Sequence, residues 1–433
     1  MHQRKVLAGI GISVAAALTL GGCSSSAGDD GGTVTLQMVE SLTNPVRTEL
    51  LDELIGEFEE KNPKITVELI SPPTEQADQK IQQMLQSGSG VDVLEVRDLT
   101  VGPFSTNGWL DNMTEEFDGW DGWDKLTPNA KAVAEGDGEM YYVPYGFYGL
   151  SLFYRTDMIK DAGFDAPPAN WEELLEQATA IQDAGNNEFG YAFRGGKNGF
   201  TNAVTAISAY VADQIDTDNA YKLENGDSIF SAPEASDALD VYFELFENAS
   251  PPSSVAWGYP EMVEGFTNGS TGFLLQDPEV IASVQQSTAV TDEQWNTAPT
   301  LAGPSGKAFQ ALATAGWGIA EKSEHKEEAA KLIQFLSEGD ASIRFTEGNS
   351  LVPIIQGADE SEFYKIGPWE SYLYMSEHPE DFVTGEQPRG VAWWTEWSEK
   401  ADTELQQVLI GQMTQDELLA SWDAYWTEKW ANE

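Results

Sequence analysis

Cysteine and histidine are almost missing from this 433-residue chain, and basic residues are few beside the acidic ones. A single cysteine, Cys23, leaves no intrachain disulfide and no cysteine-built metal cluster. The three histidines, His2, His325 and His378, lie far apart in the sequence, the last two in charged, polar runs that read as solvated surface. A zinc site of nitrogen and sulfur ligands therefore lacks parts, and so does a Ser-His-Asp triad. Lys plus Arg number 23 against 72 Asp plus Glu, a formal net charge of −49. Such an excess repels nucleic acid and anionic surfaces, and its spread along the whole chain suits an exterior adapted to high salt better than a local trap for cations. Beyond residue 20 no run of eighteen apolar residues occurs, so no later segment is expected to span a bilayer.

Loops that cradle phosphate or calcium are also wanting. Gly88 and Gly90 begin a dinucleotide fingerprint, but Val93 stands where the third glycine belongs. "GPSGKA" lacks the spacing of a phosphate loop, and the run from Asp216 puts Tyr221 where a calcium loop needs glycine. "DGWDGWD" (118–124) reads as an acidic surface loop. No cofactor and no metal is called for. A pair of carboxylates for glycoside hydrolysis has no sequence spacing of its own, so a secreted glycosidase stays open.

What the chain does have begins at its start. Arg4 and Lys5, an apolar run from Val6 to Leu20, and "LGGC" ending at Cys23 make residues 1–22 a secretory signal. The Ser, Ala, Gly and Asp of residues 23–32 cannot bury enough apolar area to order themselves and read as a tether. "LGGC" followed by "SSSAGDDGG" resembles the bacterial lipoprotein signal, which implies cleavage before Cys23 and lipidation, including palmitate, of that cysteine. The expected location is outside the cytoplasm, held to the cell membrane by lipid alone.

The body then alternates strand and helix. "TVTLQMV", a helix over 46–60 with Leu50, Leu51, Leu54, Ile55 and Phe58 on one face, "ITVELI", a helix over 75–86 and "VDVLEV" give βαβαβ, hence an α/β fold with a mostly parallel sheet. Further helices are expected over "NWEELLEQATAIQDAG", where Asn170 and Glu173 have capping-box spacing, and near 234–247, 259–268, 324–337, 397–410 and 414–430, and strands at 148–154, 271–275 and 315–320. Ligands in such sheets collect where loops leave the carboxyl ends of strands, which points to Glu40 after the first strand and to Arg97 and Asp98 after the third. "YYVPYGFYGLSLFYR" (141–155) holds seven rings on a stretch broken by Pro144, Gly146 and Gly149, and a ring-lined ligand surface is the reading it suggests.

Five stretches in order, "IGEFEEKNPKITVEL", "MYYVPYGFYGLSLFYRTDMIKDAGFDAPPANWEELLEQA", "MVEGFTNGSTGFLL", "GWGIAEKSEHKEEAAKLIQFL" and "VLIGQMTQDELLASW", resemble the extracytoplasmic solute-binding proteins of ABC importers, in particular the sugar-binding, maltose-binding-protein-like branch. That resemblance implies a two-lobe periplasmic-binding-protein fold with a hinge and several crossings between lobes. It divides the chain into 33–143 and 306–337 for lobe one, and 144–305 and 338–433 for lobe two, with "VPYG" at the first crossing. It also implies a monomer that holds a mono- or oligosaccharide between the lobes and hands it to the permease, with no covalent chemistry; the alternatives are the secreted glycosidase and a binding protein for a non-sugar solute such as a peptide or polyamine.

Sugars present apolar C–H faces to rings and hydroxyls to polar side chains. The expected contacts are Glu40, Arg97, Asp98, Tyr145, Phe147 and Tyr148 on one side, and Arg194, Asn198, Phe200, Trp257, Asp277, Trp317, Trp393 and Trp394 elsewhere around the cleft. Asp277 falls in "DPEV", where many relatives carry a Trp. Trp422, Trp426 and Trp430, four residues apart, read instead as a helix's core stripe.

Overall fold

The computed structural model describes residues 33–432, apart from 89, 128–129, 132–133, 135–137, 185–187, 312, 359–360, 366 and 392. The expected secretory signal, tether and lipidated Cys23 lie outside the described residues.

The βαβαβ opening is present. β1 (Val34–Val39) pairs in parallel with β2 (Ile65–Ile70) and with β3 (Val93–Arg97). Between the first two runs α1 (Pro45–Lys61), started by Asn44, whose side chain accepts from the Arg47 N–H at 2.9 Å, and by Pro45 in its first turn. Leu51, Leu54, Ile55 and Phe58 form its buried face. α2 (Thr74–Ser87) ends on Gly88 at φ +67°, the left-handed conformation that a C-terminal glycine supplies without strain. β10 (Ala313–Ile319) and β4 (Val143–Tyr148) complete a five-stranded sheet in the order β2-β1-β3-β10-β4, with β10 antiparallel to both neighbours.

A second sheet runs β6-β7-β5-β8, formed by Phe189–Tyr191, Thr271–Gln276, Ser151–Arg155 and Trp295–Ala298. A two-stranded parallel pair, β9 (Ala308–Ala311) with β11 (Phe382–Gly385), sits beside it. Each sheet has its own apolar core. Leu51, Trp317, Phe345 and Leu351 belong to the first. Tyr191, Tyr242, Trp397, Trp422 and Trp426 belong to the second, with Trp422 and Trp426 on the core side of their helix as the spacing predicts. The fold is thus a bilobed α/β architecture of the periplasmic-binding-protein kind, and the chain crosses between lobes more than once.

The crossings correct the expected boundaries. Residues 144–148, expected to open lobe two, are hydrogen-bonded into the first sheet, and the chain crosses only at Gly149–Leu150. β9, expected in lobe one, pairs with β11 on the lobe-two side. The helix Gly339–Gly348 and residues Leu351 and Ile354, expected in lobe two, pack into the first core through Phe345. A second crossing therefore falls between 311 and 313, and a third between 354 and Tyr364, which is back in a lobe-two cluster. The cause is visible in β4: Val143 and Gly146 lie beside Trp317 and Ala315 of β10, a match that composition could not reveal.

Candidate functional site

The carboxyl ends of β1 and β3 bring acids and one arginine together on lobe one. Arg47, from the first turn of α1, is completely buried. Its Nη1 donates to Glu40 at 2.7 Å and its Nη2 to Glu95 at 2.7 Å. Nη1 also reaches the Leu42 carbonyl at 3.4 Å, and Nη2 the Tyr145 hydroxyl at 3.2 Å. Glu95 additionally accepts from the backbone N–H groups of Ser41 and Leu42 and from the Tyr145 hydroxyl. Burial works to raise the Glu95 carboxyl, but the Arg47 guanidinium and these hydrogen bonds outweigh it and hold the group below the ordinary range. The rings of Tyr145, Trp317 and Phe345 surround the guanidinium at 5.5, 5.9 and 5.2 Å. Tyr145 passes the network outward to Tyr148, hydroxyl to hydroxyl, at 3.0 Å.

Lobe two meets this network across a closed seam. Glu279, at the start of the helix after β7, places Oε1 3.9 Å from Arg47 Nε. Farther along the seam Arg389 Nη1 lies 3.5 Å from Asp98 Oδ2, joining the lobes a second time. The backbones of Gly102 and Gly390 come close beside that pair. Leu99, on the same lobe-one helix, α3 (Asp98–Thr106), packs against the lobe-two core.

Burial pushes Asp277 up to about 6. Burial and then the neighbouring Asp277 push Glu279 up to about 8, with Arg47 and Arg97 opposing and Glu95 adding to the rise. Burial, and then nearby acids that include Glu279 for both, raises the hydroxyls of Tyr148 from lobe one and Tyr259 from lobe two well above the ordinary value. Opening the seam hydrates Glu279 and returns it toward 4.5, so the closed form holds a proton that the open form releases. Closure is therefore favoured at low pH and loses that advantage as pH rises from about 4.5 toward 8. Small-angle scattering of the ligand-free protein should show a larger radius of gyration at pH 9 than at pH 5, and Glu279→Gln should flatten the change. An identical pH response in that variant would remove Glu279 from the account.

The expected site residues divide sharply. Glu40 is buried and committed to Arg47 and to the Thr48 hydroxyl at 2.7 Å. Arg97 pairs with Asp78, while Asp98 meets Arg389. Tyr145, Phe147 and Trp317, nominated as ring platforms, lie in the lobe-one core, and Phe200 and Trp394 in the lobe-two core. The reason is common to all five: strands covered on both faces, and helices packed between layers, bury rings whichever way they point. Trp393 is half-buried on Tyr425 and Trp426, beneath Lys429. Trp257 is half-buried against Gly265 and Met262's cluster.

Asn198, at φ +58°, gives its backbone N–H to Asp402 at 2.6 Å. Arg194 donates Nε to the Lys197 carbonyl and lies 6.0 Å from the Tyr259 ring centre. Asp277 keeps a buried Oδ1 with no hydrogen-bond partner. Of the nominated set, Tyr148, Asp277 and the Asp98 and Arg97 pairs gather along the seam, together with Arg47, Glu95, Glu279 and Tyr259, which sequence reasoning missed. Glu95 carried a signal: an acid inside the apolar run "VDVLEV" must be buried and so must have a cationic partner. A hollow lined by Thr43, Asn44, Thr48, Glu49 and Asp52 opens at the start of α1 and holds none of these residues. Among the described residues no three metal-ligating side chains converge, and no helix is long and apolar enough to cross a membrane.

Two lobes closing over an arginine-carboxylate network at the ends of parallel strands is an arrangement for holding a ligand between domains. Residues 44–341 match the family model described as bacterial extracellular solute-binding protein. The chain belongs to that family. Membership places it among extracellular binding proteins rather than enzymes. A relative from Brucella abortus, named only as a binding protein, is 25% identical over 358 residues, covering 81% of this chain and 82% of that one. The fold matches the maltose-bound MalE3 of T. maritima with a TM-score of 0.78, at 22% identity over 91% of this chain and 99% of the other. It matches an ABC transporter solute binding protein of Agrobacterium vitis, with bound D-mannitol, at a TM-score of 0.73 and 19% identity, over 92% and 99% of the two chains.

Proposed function

We propose that this binding protein is the substrate-capturing component of an ABC importer, anchored outside the cell membrane by lipid on Cys23, and that it closes its two lobes over a neutral sugar or polyol before delivering it to the permease. The observation that carries the reading is the seam itself. Arg47 on lobe one lies 3.9 Å from Glu279 on lobe two and Asp98 lies 3.5 Å from Arg389, so hydrogen-bonding groups come from both sides, with the Tyr148 and Tyr259 hydroxyls both within the influence of Glu279. A ligand favours closure only through contacts to both halves, and this arrangement supplies them. Relatives of the same fold with maltose or D-mannitol bound support the ligand class. The signal sequence and the family's extracellular character support the location.

The test is a thermal-shift screen of the full chain against maltose, D-mannitol, spermidine and a short peptide, at low and high salt. At a hundred times its dissociation constant a ligand stabilises by about 2.7 kcal/mol, which for a chain of this size raises the melting temperature by about 3 °C. A sugar or polyol should give that shift and the other probes none. Tyr148→Ala should weaken the binding about tenfold, as loss of a stacking ring does, and since the ring also packs against the lobe-one core, the ligand-free melting temperature is measured beside it to separate lost contact from lost stability. Release of reducing sugar from maltose would instead establish the glycosidase alternative.

A further inference from the structure

Across the seam, two polar atoms face each other with nothing to satisfy either. Arg47 uses both terminal nitrogens on Glu40, Glu95, Leu42 and Tyr145, which leaves its Nε alone without a hydrogen-bond partner, although it is buried. Glu279 Oε1, 3.9 Å away on the other lobe, is also buried and also without one. That separation is too long for a direct hydrogen bond. It is short enough for one oxygen atom, set to the side, to lie within hydrogen-bonding distance of both.

The occupant's chemistry follows from the two partners. Arg47 Nε can only donate, so the group between must accept; Glu279, which keeps its proton in the closed form, can accept through its carbonyl oxygen or donate through its O–H, so the same group must suit either role. A hydroxyl does both. An ammonium group cannot accept from an arginine. Two residues before Glu279, the buried Asp277 Oδ1 is a second acceptor without a partner, placed to take a neighbouring hydroxyl.

We propose that Glu279 is a specificity-determining residue which, together with Arg47 Nε, reads a single hydroxyl of the ligand and so selects neutral polyhydroxylated compounds over amines. The proposal rests on the seam being the ligand site, as argued above. It also explains how recognition is tied to closure: donor and acceptor belong to different lobes, so the shared hydroxyl is fully paired only when the lobes meet. Unpaired buried groups make the discrimination steep, because a ligand lacking that hydroxyl leaves both atoms desolvated and unsatisfied.

Titration calorimetry of the full chain with maltose, D-mannitol and spermidine decides it, using wild type, Glu279→Ala and Glu279→Gln. Maltose or D-mannitol should bind wild type, bind Glu279→Ala about ten- to a hundredfold more weakly, and bind Glu279→Gln at an intermediate level, since an amide oxygen still accepts. Monodeoxy derivatives of the probe that binds supply the second measurement. One of them should lose a similar factor on wild type and lose nothing further on Glu279→Ala, the coupling expected of atoms in contact. Ligand-free melting temperatures of both variants verify that each is folded.

Equal affinity of wild type and Glu279→Ala for a sugar overturns the inference and leaves the sugar-binding reading standing. The inference fails in the same way if every deoxy derivative loses as much on the variant as on wild type, which would put only water between the two atoms. Binding of spermidine alone, or of none of the three probes, overturns the reading of the site and the inference with it.

Discussion

Replacing Gly102 by alanine should keep the two lobes from closing while leaving each of them folded. A methyl carbon at that position would lie 1.9 Å from the Gly390 carbonyl oxygen and 2.7 Å from its carbonyl carbon, contacts with backbone that no rotamer change can relieve. Gly102 is on α3 of lobe one. Gly390 is in the loop after β11, a strand paired with β9 and followed by Glu386, whose N–H and carbonyl both bond to lobe-two backbone at Thr217 and Ala220. The only way to make room is to move the lobes apart, which also stretches the Asp98–Arg389 pair beside it. Overpacking of this kind costs about 1–3 kcal/mol, and apparent affinity falls by the fraction of molecules still able to close, so the ligand should bind roughly five- to 150-fold more weakly. Alanine within a helix is itself favourable over glycine by about 1 kcal/mol, so the melting temperature should hold or rise slightly. Gly390→Ala is the control. Its methyl would meet nothing closer than the Asp98 carbonyl oxygen at 3.8 Å, and its affinity and scattering profile should match wild type. A Gly102→Ala protein with the radius of gyration and affinity of wild type would show that the lobes do not meet at these glycines in solution.

The fold could be read from the sequence wherever its helices carry one apolar face. The pattern of "LLDELIGEF" placed α1 within a residue or so of its ends, and "NWEELLEQATAI" set the start of the Trp171–Asp183 helix through Asn170, which accepts from the Glu173 N–H at 2.9 Å. The Phe200–Tyr210 helix escaped because ten of its eleven residues are buried; a helix wrapped on all sides has no polar face to mark its period. β4 escaped for a different reason. Pro144 and Gly146 look like breakers, yet the ladder to β10 shifts register between Ala315 and Gly316 and takes them in, while Gly146 is needed because a side chain there would strike Leu351.

The site was harder still. Ring-rich sequence pointed to Tyr145 and Trp317, and both are near the seam, but as the packed wall around Arg47 rather than as exposed platforms. The residues that face across the lobes, Arg47 and Glu279, sit in first turns of helices, where a charged side chain is ordinary and carries no signal in one dimension. Only the meeting of a helix from each lobe gives them a role, and that meeting depends on three crossings of the chain whose positions the sequence does not mark.

Removing the Arg47 guanidinium, as in Arg47→Met, is expected to be the most damaging single change in lobe one. Two carboxylates, Glu40 and Glu95, are each 2.7 Å from it and fully buried, so its loss leaves both without their counter-ion. Breaking a buried pair by taking one partner costs about 3–5 kcal/mol, which for a chain of this size lowers the melting temperature by about 4–6 °C. Glu95 gives the loss a pH signature. The arginine helps to hold its carboxyl below the ordinary range, so in wild type this pairing adds stability above the carboxyl's unfolded pKa and loses it as pH falls through the depressed folded value. Without the arginine, burial is less opposed and should raise the same carboxyl, so the variant should be closest to wild type in acid and fall furthest behind near neutrality. Melting curves at pH 4 and pH 7.5 measure the difference. The triple variant Glu40→Gln, Arg47→Met, Glu95→Gln tests the cause, because with no charge left to strand it should recover most of the lost stability while still failing to bind the ligand. A triple variant no more stable than Arg47→Met would mean that packing of the guanidinium between Tyr145, Trp317 and Phe345, and not its charge, is what lobe one requires.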